Sequence, residues 1–411
     1  TRRYARQYGT GESTSFGPGK AIGVSRTTEM FVYFHQGMGE PAAVAQAFND
    51  PPIVTNYPAW YASTEVFGPI HPYDMERFPE LESCMETWTD FWLFHQKLWP
   101  WYGIYDFGDF QSVNEQGGRW AMDAGRWGWI NNEALVDMAF WLQFLRTGRR
   151  DYFRAAEACS RHVMEVDLIN STQYTTGQNV KMRGHRHNVN HWGDGYVGAR
   201  VNACTGFKLH YFLTGDLRTR DQLDMIATAN RRRLGRYMCG GSTISACLSS
   251  LMYKWEATGQ QQYYDSLKAY VDFCCDWEEK HGYFPEHLDG WDFAENRMHA
   301  GAENIGGKSH GMFFQSFGAG HTLNEFAELT GDERLKRSII RTASDVVAGK
   351  PHWYQDIGLY PLMAAAYRYT GDRAFLEWIQ KRGTKRWVDT QRERWSSEKC
   401  VTSLGKCMFG A

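Results

Sequence analysis

The sequence predicts a mainly α fold. Repeated helical hairpins stand side by side as a solenoid or close into an (α/α) toroid, behind a short β-structured N-terminal region. Three observations carry that reading. From Asn131 onward, apolar residues recur at helical spacing in stretch after stretch, as in FWLQFLRTGRRDYFRAAEACSRHVMEV. The stretches are separated by one recurring punctuation: Thr147-Gly148, Thr214-Gly215-Asp216, Thr258-Gly259, Thr330-Gly331-Asp332 and Thr370-Gly371-Asp372. Glycine takes the left-handed position just past a helix end, and aspartate caps the start of the next helix. Finally, the turns lie 67, 44, 72 and 40 residues apart, so two intervals fit a bare pair of helices and two leave room for an inserted loop.

Taken in order, residues 1–70 are Gly- and Pro-rich and read as a β-rich arm or domain remnant, with Met30, Val32 and Phe34 alternating against Phe31 and Tyr33. Residues 71–411 read as the toroid. Its first helix runs from Glu80 to Leu98 and stops at Pro100. An aromatic loop follows, WPWYGIYDFGDF and then RWGWINNE. The first long interval holds GHRHNVNHWGD (Gly184 to Asp194), and the second holds Gly282 to Phe313. In a closed ring such inserts collect on one rim, so both are expected to line one cleft.

Composition excludes several classes. A net charge of −2 gives no pull toward nucleic acid. No apolar run is long enough to span a membrane. Nine cysteines occur without a Cys-x-x-Cys spacing, which argues against zinc-ribbon and thioredoxin readings. Cys400 and Cys407 are close enough in sequence to bridge, while most of the others sit in helical stretches as small buried residues. The 17 Trp, 22 Tyr and 24 Phe suit a carbohydrate cleft, because these rings offer flat apolar faces to sugar C–H groups, but they equally suit a large core.

Chemistry-bearing side chains gather in four places. The histidine loop carries His185, His187 and His191, with Arg186, Trp192, Tyr196 and Arg200 beside them. Imidazole donates, accepts, ligates metal and carries a proton near neutral pH. The His-x-His-x3-His spacing of His185, His187 and His191 also fits three ligands for a divalent metal. Asn131, Asn132 and Glu133 open a helix, where they serve a site or act as caps. Tyr102 and Trp129 belong to the aromatic loop; His310 and Asp289 to Glu303 belong to the second insert. His162 and Asp167 sit on a helix end, where a histidine is more often packing than chemistry.

The segments WPWYG, GWINNE, FLRTG, RHVMEVD, GHRHNVNHWGD and HYFLTGD together resemble the helical-toroid polysaccharide lyases of the exo-rhamnogalacturonan lyase type and their ulvan-lyase relatives. The resemblance covers roughly residues 20 to 375 and departs from the family pattern at Glu165-Val166-Asp167 and at Ala199 to Gly206. It implies an (α/α) toroid, an incomplete barrel, that cleaves an acidic polysaccharide or oligosaccharide by β-elimination outside the cytoplasm, secreted or periplasmic. Such an enzyme neutralises the uronate carboxylate, abstracts the C5 proton and protonates the leaving oxygen. Arg200 and Asn132 are candidates for the first task, His187 or His191 for the base and Tyr196 for the acid. Tyr102, Trp129, Asn131, Glu133, Arg186, Trp192 and His310 are candidates for substrate binding. No cofactor is required, and a divalent metal on His185, His187 and His191 is an option. No nucleic acid or membrane partner is expected, and the oligomeric state is open. A glycoside hydrolase pairing Glu133 with Asp194, Asp289 or Asp292 is the alternative. A non-catalytic carbohydrate-binding protein is a third.

Overall fold

The computed structural model describes residues 23–111, 135–171, 203–232, 242–285, 287–298, 319–350 and 359–382. It also describes residues 129, 130, 132 and 182 and the backbone of short strands between these segments. All five Thr-Gly turns close helical hairpins. The pairs are α4 (Val136–Thr147) with α5 (Arg150–His162), α6 (Thr205–Thr214) with α7 (Leu217–Arg231), α8 (Ser242–Thr258) with α9 (Gln261–His281), α10 (Ala319–Thr330) with α11 (Glu333–Val347), and α12 (Tyr360–Thr370) with α13 (Ala374–Arg382).

Each turn is built from the same local bonds. The glycines hold φ between 65° and 72°. Each threonine hydroxyl donates to the carbonyl four residues back, one of the orphan acceptors of a helix end, as from Thr147 to Gln143 at 2.7 Å. Asp216, Asp332 and Asp372 accept backbone N–H groups of the following helix, at 2.7 Å for Thr219 N.

Burial separates an inner row of helices from an outer one. In α4 every residue from Val136 to Leu145 is buried, and in α6 every residue from Thr205 to His210 is buried. Outer helices bury one stripe only: in α11 it is Leu335, Ser338, Ile339, Thr342, Ala343 and Val346. The first helices of successive hairpins pack on one another, α4 on α6, α6 on α8, α8 on α10 and α10 on α12. Two large apolar clusters follow the ring. One centres on Trp88, Trp92, Phe110, Phe140 and Trp141, the other on Leu251, Tyr270, Phe293, Phe326 and Met363. Fully burying a large apolar side chain contributes roughly 1.5–3 kcal/mol, so these clusters hold the hairpins together.

Ahead of the hairpins come α1 (Pro41–Asn49), α2 (Pro58–Thr64) and α3 (Pro79–Leu98). The β-rich expectation for residues 1–70 can be compared with the structure only over residues 23–70. Among the described residues 23–70 there are two helices, each opened by a proline at its first turn, and no strand. The alternating stretch from Met30 to Phe34 meets no partner strand, and its large side chains are exposed. The arm does pack on the body: Ser25 N donates to Glu165 O at 2.8 Å and Asn170 N to Gly23 O at 2.9 Å. Residues 64–71 reach the gap between the first and last hairpins, where Arg146 of α4 donates to the His71 carbonyl at 2.7 Å and Arg368 of α12 lies 3.9 Å from Glu65.

Each long insert joins the end of an outer helix to the start of the next inner one, so its two ends lie on the rim opposite the Thr-Gly turns. Short antiparallel ladders pin them. β3 (Gly184–His185) pairs with β4 (Val197–Gly198), bracketing the histidine loop, and β5 (His287–Asp289) pairs with β8 (Asn304–Gly306), bracketing the second insert. β1 (Val113–Asn114) pairs with β2 (Arg119–Trp120), and β6 (Trp291–Asp292) with β7 (Arg297–Met298).

Candidate active site at the loop rim

The described part of the loop rim is organised around the end of α5. There the helix widens into one π turn, Val163–Asp167, closed by a bond from Leu168 N to Val163 O at 3.0 Å. Residues five apart on an α-helix point about 140° away from each other. The wider turn brings Asp167 back toward His162, and π turns of this kind recur at functional sites. The aromatic loop supplies a third group, Asp109. It arrives through Gly108, whose φ is +93° and where any Cβ would overlap the Ala158 carbonyl of α5. Only glycine lets the loop press against the helix there.

These two local departures bring together three buried side chains. His162 Nε2 lies 3.5 Å from Asp109 Oδ2 and 3.3 Å from Asp167 Oδ1, and all three side chains are at most 1% exposed. His162 Nδ1 lies 3.1 Å from the Phe107 carbonyl, which fixes that nitrogen as the N–H donor. Burial works against charge on the imidazole, but Asp167 and then Asp109 outweigh it and raise its pKa to about 9. The ligand atoms of the three residues lie within 4.8 Å of one another, a separation that suits a shared cation as well as a shared proton.

A second buried network sits beside the first. Asp137, in the first turn of α4, accepts from Met138 N at 2.7 Å and from Ser160 Oγ at 3.2 Å. Trp141 Nε1 donates to the same Ser160 hydroxyl at 3.1 Å. Gly206 of α6 presses on the Asp137 carboxylate, leaving no space for a Cβ. Burial raises the Asp137 carboxyl to about 6 against these hydrogen bonds. Cys159, between the two networks, has its thiol pushed up by burial and then by Asp137, Asp109 and Asp167, so it stays neutral.

A family model described as "PcRGLX-like protein C-terminal alpha/alpha toroid domain" matches residues 51–359. The chain belongs to this family. It is also similar to the uncharacterized protein YetA of Bacillus subtilis (strain 168), at 27% identity over 337 residues, covering 75% of this chain and 37% of that protein. The chain therefore spans little more than a third of the length of this relative.

Within this PcRGLX-like toroid, the sequence-predicted site residues fall in three groups. Asn131, Glu133, Arg186, His187, His191, Trp192, Tyr196, Arg200 and His310 lie outside the described residues, as do Cys400 and Cys407; His185 is described only as backbone of β3. Asn132 is buried at φ +52°, and its Oδ1 accepts from Asp137 N at 3.0 Å, so that oxygen is committed to the start of α4. Trp129 is buried as well, edge-on to Trp101 with centroids 6.0 Å apart, and serves the aromatic core. Tyr102 is exposed, together with Trp99, Tyr105 and Phe107 of the same loop. Asp292 accepts from Ala294 N and Glu295 N at 2.7 and 3.0 Å, which makes it a turn former.

Sequence reasoning weighed His162 and Asp167 as packing and missed Asp109. The one local signal was the GDF triplet at 108–110, a glycine before an acid in an aromatic loop. Nothing local links it to His162.

Proposed function

We propose that this chain is the catalytic toroid of a polysaccharide lyase. It would cleave a uronate-containing polysaccharide by β-elimination and leave an unsaturated uronate end. The observation that carries the reading is the family match over residues 51–359. The family points to carbohydrate-active enzymes, and an exposed aromatic loop from Trp99 to Phe107, flat faces at the loop rim, suits a sugar chain. In this reading His187 or His191 is the base and Tyr196 the acid. Arg200 neutralises the carboxylate, since the Asn132 oxygen is turned inward. The same rim is where a polymer acted on outside the cell would dock.

The test is an assay of the full chain on a panel of uronate polymers. A lyase produces an unsaturated uronate absorbing in the near ultraviolet. Reducing ends without that chromophore would make the protein a hydrolase, and an unchanged polymer that is nonetheless bound would make it a binding module. Tyr196→Phe removes one hydroxyl and keeps the ring. We expect turnover to fall by about 10²-fold or more, the contribution of a positioned proton donor. A folded variant with near-normal product formation would remove Tyr196 from the mechanism.

A further inference from the structure

We propose that a cavity on the turn side of the inner helices is a second binding site, one that takes a small organic ammonium ion with an apolar body.

The cavity holds about 670 Å³, a size usual for small-molecule sites. Inner helices α4, α8, α10 and α12 supply its walls, together with α3 and with residues 64–71 of the arm. Each inner helix brings its last turn: Arg146, Glu256, Glu328 and Arg368 all lie within two residues of a closing threonine. A helix C-terminus carries partial negative charge, so four such ends around one space favour a cation.

The full charges point the same way. Arg146 is matched by Glu82, and Arg368 by Glu328 at 2.9 Å, with Glu65 3.9 Å away. Lys208 serves both Glu256 and Glu325, at 2.7 and 2.5 Å. Five carboxylates thus meet three cations. Burial, and then the Glu325 charge, raise the Glu256 carboxyl to about 7, so near neutral pH this pair still holds part of a proton. A bound ammonium would take that proton's place.

The hydrogen-bonding groups select a donor. His321 stands one turn before Glu325 on α10, and its ring makes no hydrogen bond among the described residues. Burial lowers its pKa, so the imidazole is neutral and offers a lone pair. Beside it, Asn324 donates to the Pro361 carbonyl at 3.1 Å, while its buried Oδ1 accepts from no described residue. Glu82, 1% exposed, leaves its Oε2 in the same condition. An ammonium carries three donors and no acceptor, which matches a wall with acceptors in excess.

Much of the remaining lining is apolar: Phe67 and Ile70 of the arm, Met85 of α3, and Met138 and Leu142 of α4. A bare inorganic cation would leave these surfaces unused, whereas a hydrocarbon body would cover them. Gly68 lies over His321, where a Cβ would stand 3.4 Å from the imidazole. The arm therefore roofs the acceptors, and a ligand held beneath it would tie the arm to the ring.

The experiment uses the full chain and three probes of similar shape: 2-phenylethylammonium, 2-phenylethanol and 3-phenylpropionate. Calorimetry and thermal melting are read together. We expect saturable binding of the ammonium at one site per chain, a higher melting temperature, and affinity for the alcohol at least about tenfold weaker, the effect of losing a charge-assisted hydrogen bond. The carboxylate should not bind. Glu325→Gln should weaken the ammonium by about tenfold or more. Ala364→Phe narrows the cavity without touching its charges and should abolish binding; it serves as the test if the glutamate variant does not fold. No saturable binding of the ammonium to folded wild-type protein would overturn the proposal. So would equal affinity for the alcohol, or ammonium binding unchanged in folded Ala364→Phe.

Discussion

Asp137 shows how much a single residue can fix in this protein. Its carboxyl has an ordinary value of 3.8 and sits at about 6 in the folded chain, because burial outweighs the hydrogen bonds around it. A raised folded pKa means the folded state holds the proton more tightly than the unfolded one. The stability so gained is present below pH 4 and is lost as pH rises through 6. Two pKa units correspond to about 3 kcal/mol. Asp137→Asn cannot ionise, so its stability relative to wild type should improve by up to about 3 kcal/mol between pH 4 and pH 7. Urea unfolding at a series of pH values measures this, and a difference independent of pH would contradict it. Gly108 offers a second residue-scale test. Gly108→Ala forces a Cβ into the Ala158 carbonyl at positive φ and should cost at least about 2 kcal/mol. At Gly148, φ is also positive but the Cβ meets nothing, so alanine there should cost only about 1 kcal/mol. Equal losses at both sites would mean that loop contact carries no load. None of this was legible in sequence. Asp109 and His162 are 53 positions apart, and their meeting depends on a π turn and a close backbone approach that no residue pattern announces.

Among the elements, the hairpin turns were legible because their chemistry is local. Glycine, threonine and, at three of the turns, aspartate each satisfy backbone groups within a few positions, so at most three adjacent letters carry the whole device. Over the described residues 23–70 no strand forms for the converse reason, since alternation at Met30–Phe34 needs a partner strand that sequence cannot supply. The third turn supplies a prediction. Gln260 occupies the cap before α9 with φ −67° and ψ 112°, matching Asp216 at −60° and 114°, yet no side chain caps that helix. Gln260→Asp should accept the free N–H groups and place negative charge at a helix start. We expect a gain of about 0.5–1 kcal/mol. A melting temperature unchanged or lowered would show that the turn tolerates no further order.

At the scale of the whole molecule, the inner helices are tied by charge as well as by packing. Lys208 of α6 is buried, with its Nζ 2.7 Å from Glu256 of α8 and 2.5 Å from Glu325 of α10. One ammonium thus joins three successive inner helices. Glu256 and Glu325 also line a cavity of about 670 Å³ among the turn-side ends of the inner helices, together with Arg146, Arg368 and residues 64–71. Glu82 and Arg146 form a further buried pair at its wall. This cavity lies on the turn side of the inner helices. Burial, and then the Glu325 charge, raise the Glu256 carboxyl well above its usual range even with Lys208 beside it. Lys208→Met keeps the stem and removes the cation. It leaves two facing carboxylates in a poorly hydrated place, and breaking a buried pair in this way costs about 3–5 kcal/mol. At pH 8 the full cost should appear in chemical unfolding. At pH 5 Glu256 takes a proton, the repulsion disappears, and the deficit should shrink markedly. Adding Glu256→Gln to the lysine variant should recover stability at pH 8 for the same reason. A deficit of equal size at both pH values, with no recovery in the double variant, would show that Lys208 acts through packing of its stem alone and that charge does not tie the ring.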